Sequence, residues 1–462
     1  MHKIPTDLGS NLLENHKLPP HTSEMKRLLS LAIAPLLVLS VFATPAIAAG
    51  PKAGTKCSNF GESIVSAGKK FTCLMVGSKQ VWNKGVKVSG STSTSSPFKA
   101  PIPISLPVAQ NGSITFANIQ QHVSEIPQEA FKKVQAVIAA NSISSQIAND
   151  IHIGPNTELD IVGGKSRIQE VLLQSQKLWS GFTQVSNFRI FLYSAKDEPW
   201  AEDEWVKTGR SAKYFEGEIQ GEIKRIAGNC QETLSPGVFK GTPSNCRGAD
   251  STAIANTNDA ILTIGQGTAE GKNDSFANSG GIIGHEYTHS VQAAQWIGKP
   301  SSYCTPQTQT EKCSRSWNSN WGFSPCWLFE GLPNSVGVMG VNSNFDSFQL
   351  TRKNLPYGQG PSNVTDYTEA SLLKYLVNQS SRTCYGDGDL YRLGYTVGAI
   401  TVEALTAIGG PQAVMAMYSL GAEGVEFATA FQKVYGISWS EGSKILAKVL
   451  AAEYATYGAP PR

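Results

Sequence analysis

The chain has 462 residues, enough for more than one domain and for a sizeable core. Only 16% of them are charged, and 39 basic residues offset 36 acidic ones to leave a formal net charge of +3. That near balance argues against a nucleic-acid-binding surface and against a strongly acidic partner.

Residues 1–48 read as a secretory signal with an over-long start. Met25-Lys26-Arg27 supplies a basic n-region, residues 28–42 an apolar h-region, and Ala46-Ile47-Ala48 a small-residue cleavage site. The apolar run is shorter than the roughly 20 residues a membrane span needs, and it carries Pro35. No later run is long enough to cross a bilayer, and Cys57 lacks an apolar lipobox before it. A secreted or cell-surface mature chain without a membrane span is therefore expected. All eight cysteines follow the signal, as an oxidising compartment allows. Locality favours the pairs Cys57–Cys73, Cys230–Cys246 and Cys304–Cys313, which leaves Cys326 with Cys384. No CxxC zinc knuckle is present.

Residues 49–88 form a small Cys/Trp module of short strands closed by one disulfide. Contact with cell-wall polymer through Trp82 and the lysines of residues 51–88 is one role for it. A stalk or spacer is the favoured one, because a lone Trp in so small a module is usually its core. Residues 89–107, rich in Ser, Thr and then Pro, read as a linker, flexible first and stiff later.

An N-terminal lobe spans residues 108–297. Helical periodicity marks residues 128–140 and 165–182, while residues 188–193 and 260–264 read as strands. The acidic stretch 197–205 reads as a solvated loop. A Gly/Asn-rich loop then leads into a helix, with Ser279 available to cap its start. The order of strand, loop and helix leaves a strand edge beside that helix, able to pair with an extended peptide. Residues 298–326 form a disulfide-bearing insertion, and 327–462 a helical lobe with helices expected over 367–378, 390–408, 410–419, 425–435 and 440–454.

The helix carries His285-Glu286-Tyr287-Thr288-His289, an HExxH sequence. Residues four apart share a helix face, so both imidazoles can converge on one cation while the Glu286 carboxylate reaches a water beside it. His2, His16 and His21 fall in the expected signal, so these two are half of the histidines that remain, with His122 and His152. Two imidazoles need a third ligand. Metzincins place a histidine six residues after the second one, where this chain has Gln295. Of two later glutamates, Glu311 sits in a polar stretch between cysteines. Glu330 follows Trp327-Leu328-Phe329, and a carboxylate in so apolar a segment needs a partner or a metal. Glu330 is favoured. Asn334, one turn on, could accept a hydrogen bond from a ligand histidine or simply lie on a helix surface.

HExxH, then Trp327-Leu328-Phe329-Glu330-Gly331, then Tyr391-Arg392-Leu393-Gly394 opening a long helix, resembles the gluzincin zinc metallopeptidases. The likeness is to their aminopeptidase-like, peptidase MA-like catalytic domains, and it covers residues 250–455. It implies an α+β fold: a thermolysin-like zincin core with a small mixed sheet and an active-site helix, followed by a mainly helical C-terminal lobe. It also implies Zn2+ held by His285, His289 and Glu330, with Glu286 as general base and Tyr391 stabilising the oxyanion. Tyr395 and Tyr385 lie close to Tyr391 in sequence. The substrate implied is a peptide or protein. The chain departs from the pattern at Pro333, in the length between His289 and Glu330, and in lacking a Gly-x-Met-Glu-Asn segment to grip a free N-terminus. A zinc-containing binding protein without catalysis and a zinc hydrolase of a non-peptide bond are the alternatives.

Overall fold

A computed structural model describes, with short breaks, residues 51–87, 102–207, 249–297, 323–377 and 388–457. Residues 1–50, which include the expected signal over 1–48, lie outside the described residues, as do Cys230, Cys246, Cys304, Glu311, Cys313, Cys384 and Tyr385. The described chain divides into a unit ending at Val88 and a larger one beginning at Ser89.

The smaller unit is a four-stranded antiparallel sheet: β1 (Ser63–Ser66), β2 (Lys69–Val76), β3 (Lys79–Trp82) and β4 (Val86–Lys87). Its core is Cys57, Phe71 and Trp82, and Cys57 is in a disulfide. With 8% of its surface exposed, the Trp82 ring is spent on that core.

In the larger unit, α1 (Ile126–Ala140) starts two residues before the expected point, because Pro127 fits the first turn of a helix. It buries Ile126, Ala130, Phe131 and Val134, one stripe at helical spacing. Strand β5 (Ala148–Ile153) leads to α2 (Gly164–Leu178) and β6 (Asn187–Tyr193). A helix α3 (Glu198–Lys207) follows, then β7 (Ala249–Ala253) and β8 (Asp259–Gly265). The sheet runs β5-β6-β8-β7, parallel across the first three strands and antiparallel at β7. Phe188, Ile190, Leu192 and the facing Ala260, Leu262 and Ile264 are buried on one side, and Phe191, Tyr193, Ile261 and Thr263 on the other, as expected of parallel strands covered on both faces.

Two expectations change here. The stretch read as a solvated acidic loop is α3, and Asp197 before it is buried, accepting hydrogen bonds from Asn156, Thr157 and Ser194. Strand β8 is flanked on both sides, and the outer strands of the sheet among the described residues are β5 and β7. In addition, Ile102, Ile104 and Leu106, within the stretch read as linker, pack against the core of the larger unit.

The HExxH helix is α4 (Gly281–Ala294). Ser279 does not cap it: its hydroxyl donates to the Phe276 carbonyl, and the N-cap is Gly280 at φ 86°. A side chain at Gly280 would meet Val171 at 2.7 Å as well as strain the backbone. Next come α5 (Cys326–Leu332), a π-helical turn Pro333–Gly337 and one more α turn, Val338–Val341. The remaining helices are α6 (Phe345–Arg352), α7 (Glu369–Leu376), α8 (Gly388–Tyr395), α9 (Val397–Gly409), α10 (Pro411–Ala422), α11 (Phe427–Tyr435) and α12 (Trp439–Tyr457). The single helix expected over 390–408 is broken at Thr396, whose ψ is −77°. Among the described residues no single helix is long and apolar enough to cross a membrane.

Backbone-to-backbone contacts fix α5 and the π turn against their neighbours. A Cβ at Gly337 would lie 2.6 Å from the Gly284 carbonyl of α4, and one at Gly331 would lie 2.4 Å from Gly398 of α9. Gly337→Ala is expected to destabilise by about 2 kcal/mol or more through overpacking. Gly112→Ala, whose Cβ would meet Lys133 Nζ at 3.5 Å and the Ile114 carbonyl at 3.7 Å, both ordinary contact distances, should be close to neutral. Thermal unfolding of the two variants checks the contrast.

Candidate metal centre

Three side chains from two elements meet at one point. His289 Nε2 lies 3.1 Å from Glu330 Oε2, and His285 Nε2 lies 3.6 Å from the same oxygen. The candidate ligand atoms all fall within 4.8 Å of one another, and this is the metal-ligating cluster found among the described residues. All three residues are buried; Glu330 is 2% exposed. Glu286 stands apart from them. It is the one residue of α4 that is not buried, and its carboxylate lies 4.0 Å from His285 Nε2.

Electrostatics bind the cluster tightly. Burial alone would raise the Glu330 carboxyl, but His289 and His285 beside it hold it well below the ordinary carboxylate range. Burial disfavours the His289 imidazolium, yet the Glu330 carboxylate outweighs that and carries it up to about 8. At neutral pH a cation entering the metal-free site must therefore displace a proton from His289, so its affinity rises as pH climbs towards 8.

The orientation of His289 is traceable to a proline. Pro333 has no N–H, so it cannot donate to the carbonyl four residues back, that of Phe329. Gln292 takes the vacancy: its Nε2 donates to Phe329 O at 3.1 Å and to the Tyr418 hydroxyl at 2.7 Å. Tyr418 in turn donates to Leu328 O at 3.1 Å. With both its donors committed, Gln292 presents Oε1 to His289 Nδ1 at 2.8 Å, which accounts for that nitrogen as a donor and leaves Nε2 to face the cluster. Gln292 and Tyr418 were not singled out from the sequence. The available signal was spacing, since Gln292 is one turn beyond His289 on the same face.

His285 is held by rings. The Tyr395 ring stacks on it at 5.8 Å and 9°, and Phe276 meets it edge-on at 6.4 Å. The Tyr391 and Tyr395 hydroxyls are 2.5 Å apart. Asn334 has neither role expected of it. It is buried, and its Nδ2 donates at 2.6 Å to the Tyr395 carbonyl, just before the helix break at Thr396. Gln295, at the metzincin position, bonds the Thr183 and Val291 carbonyls instead. His152 lies on the sheet between Asp150 and Glu204, and His122 pairs with Glu125, so neither joins the site.

Compared with protein-family models, with curated proteins and with solved structures, the chain matches none. What the site can do is argued from its side chains.

Two neutral imidazole nitrogens and one carboxylate oxygen, converging with an ionisable carboxylate alongside, fit a divalent transition metal. Removing the Gln292 amide should leave His289 free to rotate. Gln292→Ala is expected to weaken metal binding about 10- to 100-fold, measured by competition with a chromogenic chelator.

Proposed function

We propose that the protein is a secreted zinc-dependent peptidase whose larger unit has a thermolysin-like gluzincin core. The convergence of His285, His289 and Glu330 beside the part-exposed Glu286 carries this reading. A structural zinc site closes its fourth position with a protein ligand, whereas a catalytic one keeps three ligands and leaves a position for water. Among the described residues the cluster has three, and the side chain next to it is a base rather than a fourth Cys or His.

Zinc bound there would lower the pKa of a water to about 7 and polarise the substrate carbonyl. Glu286 takes a proton from the attacking water as its oxygen bonds to the peptide carbon. The oxyanion so formed accepts a hydrogen bond from the Tyr391 hydroxyl, which the Tyr395 hydroxyl holds in place. Glu286 then delivers its proton to the leaving nitrogen as the C–N bond breaks, which returns the carboxylate for the next cycle. Strand β7 packs against α4 and is one of the two outer strands among the described residues, so an extended peptide would add to β7 rather than to β8. The smaller unit serves as a spacer in this reading, with Trp82 as its core; wall contact there would have to come from its lysines.

The test combines metal analysis of the purified protein with digestion of a peptide library. Glu286→Gln is expected to keep one zinc per chain and to lose peptide cleavage about a thousandfold. Tyr391→Phe should keep zinc and lower kcat with little change in KM. Zinc binding without cleavage in the parent protein would instead support the binding-protein alternative.

A further inference from the structure

A second group of charged side chains lies deep in the helical lobe, separate from the metal centre. Arg352, at the end of α6, donates from Nε to both carboxylate oxygens of Glu403 on α9 at 2.9 Å each. Its Nη2 donates to Glu403 Oε2 at 2.7 Å and also to Glu453 Oε1 on α12. Its Nη1 donates to the Tyr457 hydroxyl at 3.0 Å, and that hydroxyl donates to Glu453 Oε1. Glu403 is 0% exposed and Glu453 is 5% exposed, while Glu453 Oε2 is buried with no hydrogen-bond partner.

The charges do not balance. Two carboxylates meet one guanidinium, while Lys133, Glu330, Asp389 and Arg392 on elements packed against α9 have partners of their own. Lys133 on α1 donates to the Ala407 and Ile408 carbonyls at 2.7 and 2.9 Å. Glu330 on α5 faces the two histidines, and Asp389 and Arg392 on α8 pair with each other. The groups that act on Glu403 directly are Arg352 and Glu453, with Tyr457 beside them. Two carboxylates in a dry site with a single cation leave one negative charge without compensation, which a bound proton removes.

We propose that Glu403 holds a proton in the folded protein, making the Arg352 cluster a proton-linked latch that fastens α6, α9 and α12 and loosens as the medium turns alkaline. Burial drives the Glu403 carboxyl up, Arg352 restrains it and Glu453 adds to the rise, which leaves it at about 7. The folded value lies above the ordinary 4.5. The stability tied to this proton is therefore fully present below pH 4.5 and is lost as pH rises through about 7. Helix α9 is the one on which the Glu330 segment rests, since Gly398 packs against Trp327 and Gly331. The latch stands whether or not the metal site hydrolyses peptides.

The experiment is thermal unfolding of the full chain, as purified, from pH 5 to 8.5, for the parent and for Glu453→Gln. Glutamine keeps the shape and removes one charge, so the remaining carboxylate is matched by Arg352. Between pH 5.5 and 8 the parent is expected to lose about 4 °C of Tm more than the variant. His289 titrates in both proteins, so the difference between them isolates the cluster. Parallel profiles would overturn the proposal. Should the variant fail to fold, infrared spectroscopy of the parent decides. A protonated carboxyl stretch that persists at pH 6.5, where exposed carboxyls are ionised, and disappears by about pH 9 supports the proton on Glu403. Its absence at pH 6.5 overturns it.

Discussion

Glu330 is an ionised carboxylate almost wholly out of water, and the lobe around it is arranged to make that tolerable. An isolated buried charge costs several kcal/mol even after relaxation. Here the compensation is two imidazoles from one helix, close enough that the carboxylate is stabilised and His289 becomes more basic. A divalent cation placed among the three would take over the same role. The geometry is thus already that of a binding site, because the attraction between the residues and their attraction to a cation call for the same convergence.

Convergence of side chains is only as good as the backbone behind them. Helix α5 is short, and Glu330 sits in it just ahead of a proline. The missing hydrogen bond at Pro333 loosens the helix into a π turn. Gln292 and Tyr418 supply the carbonyls of Phe329 and Leu328 with outside donors, so the segment is tied to α4 and α10. The glycines complete this. Gly284 against Gly337 and Gly331 against Gly398 bring three backbones within contact distance, and no larger residue would permit it. One departure from the helix ladder thus places the third ligand and, through Gln292, also sets the orientation of the second.

Much of this was legible in the sequence because it is periodic or strongly apolar. The HExxH helix, the burial of Glu330 after Trp327-Leu328-Phe329, and strands β6 and β8 all follow from local pattern. Strands β5 and β7 did not, since Ala148–Ile153 alternates weakly and Ala249–Ala253 is small and polar. Their pairing comes from neighbours far away in the chain. Asn334 and the break at Thr396 escaped for a related reason: a carbonyl released at one helix end is capped by an amide from another element, and no spacing announces that. Asp197 looked solvated because its neighbours are acidic, yet three donors from distant positions surround it.

Two buried acidic groups in one lobe show two ways of meeting the same physical demand. At the metal centre the compensating groups are imidazoles, which can yield their protons to a cation and so admit an ion. In the Arg352 cluster the compensating group is a guanidinium, which does not give up its proton and so keeps any cation out. The imbalance left by the second carboxylate must then be met by the smallest cation there is. Helix α9 joins the two, carrying Glu403 in its interior and Gly398 against the Glu330 segment. On the proposed reading, a helix with a proton-linked cluster at its middle and the Glu330 segment against its first turn connects the acidity of the surroundings to the candidate metal centre.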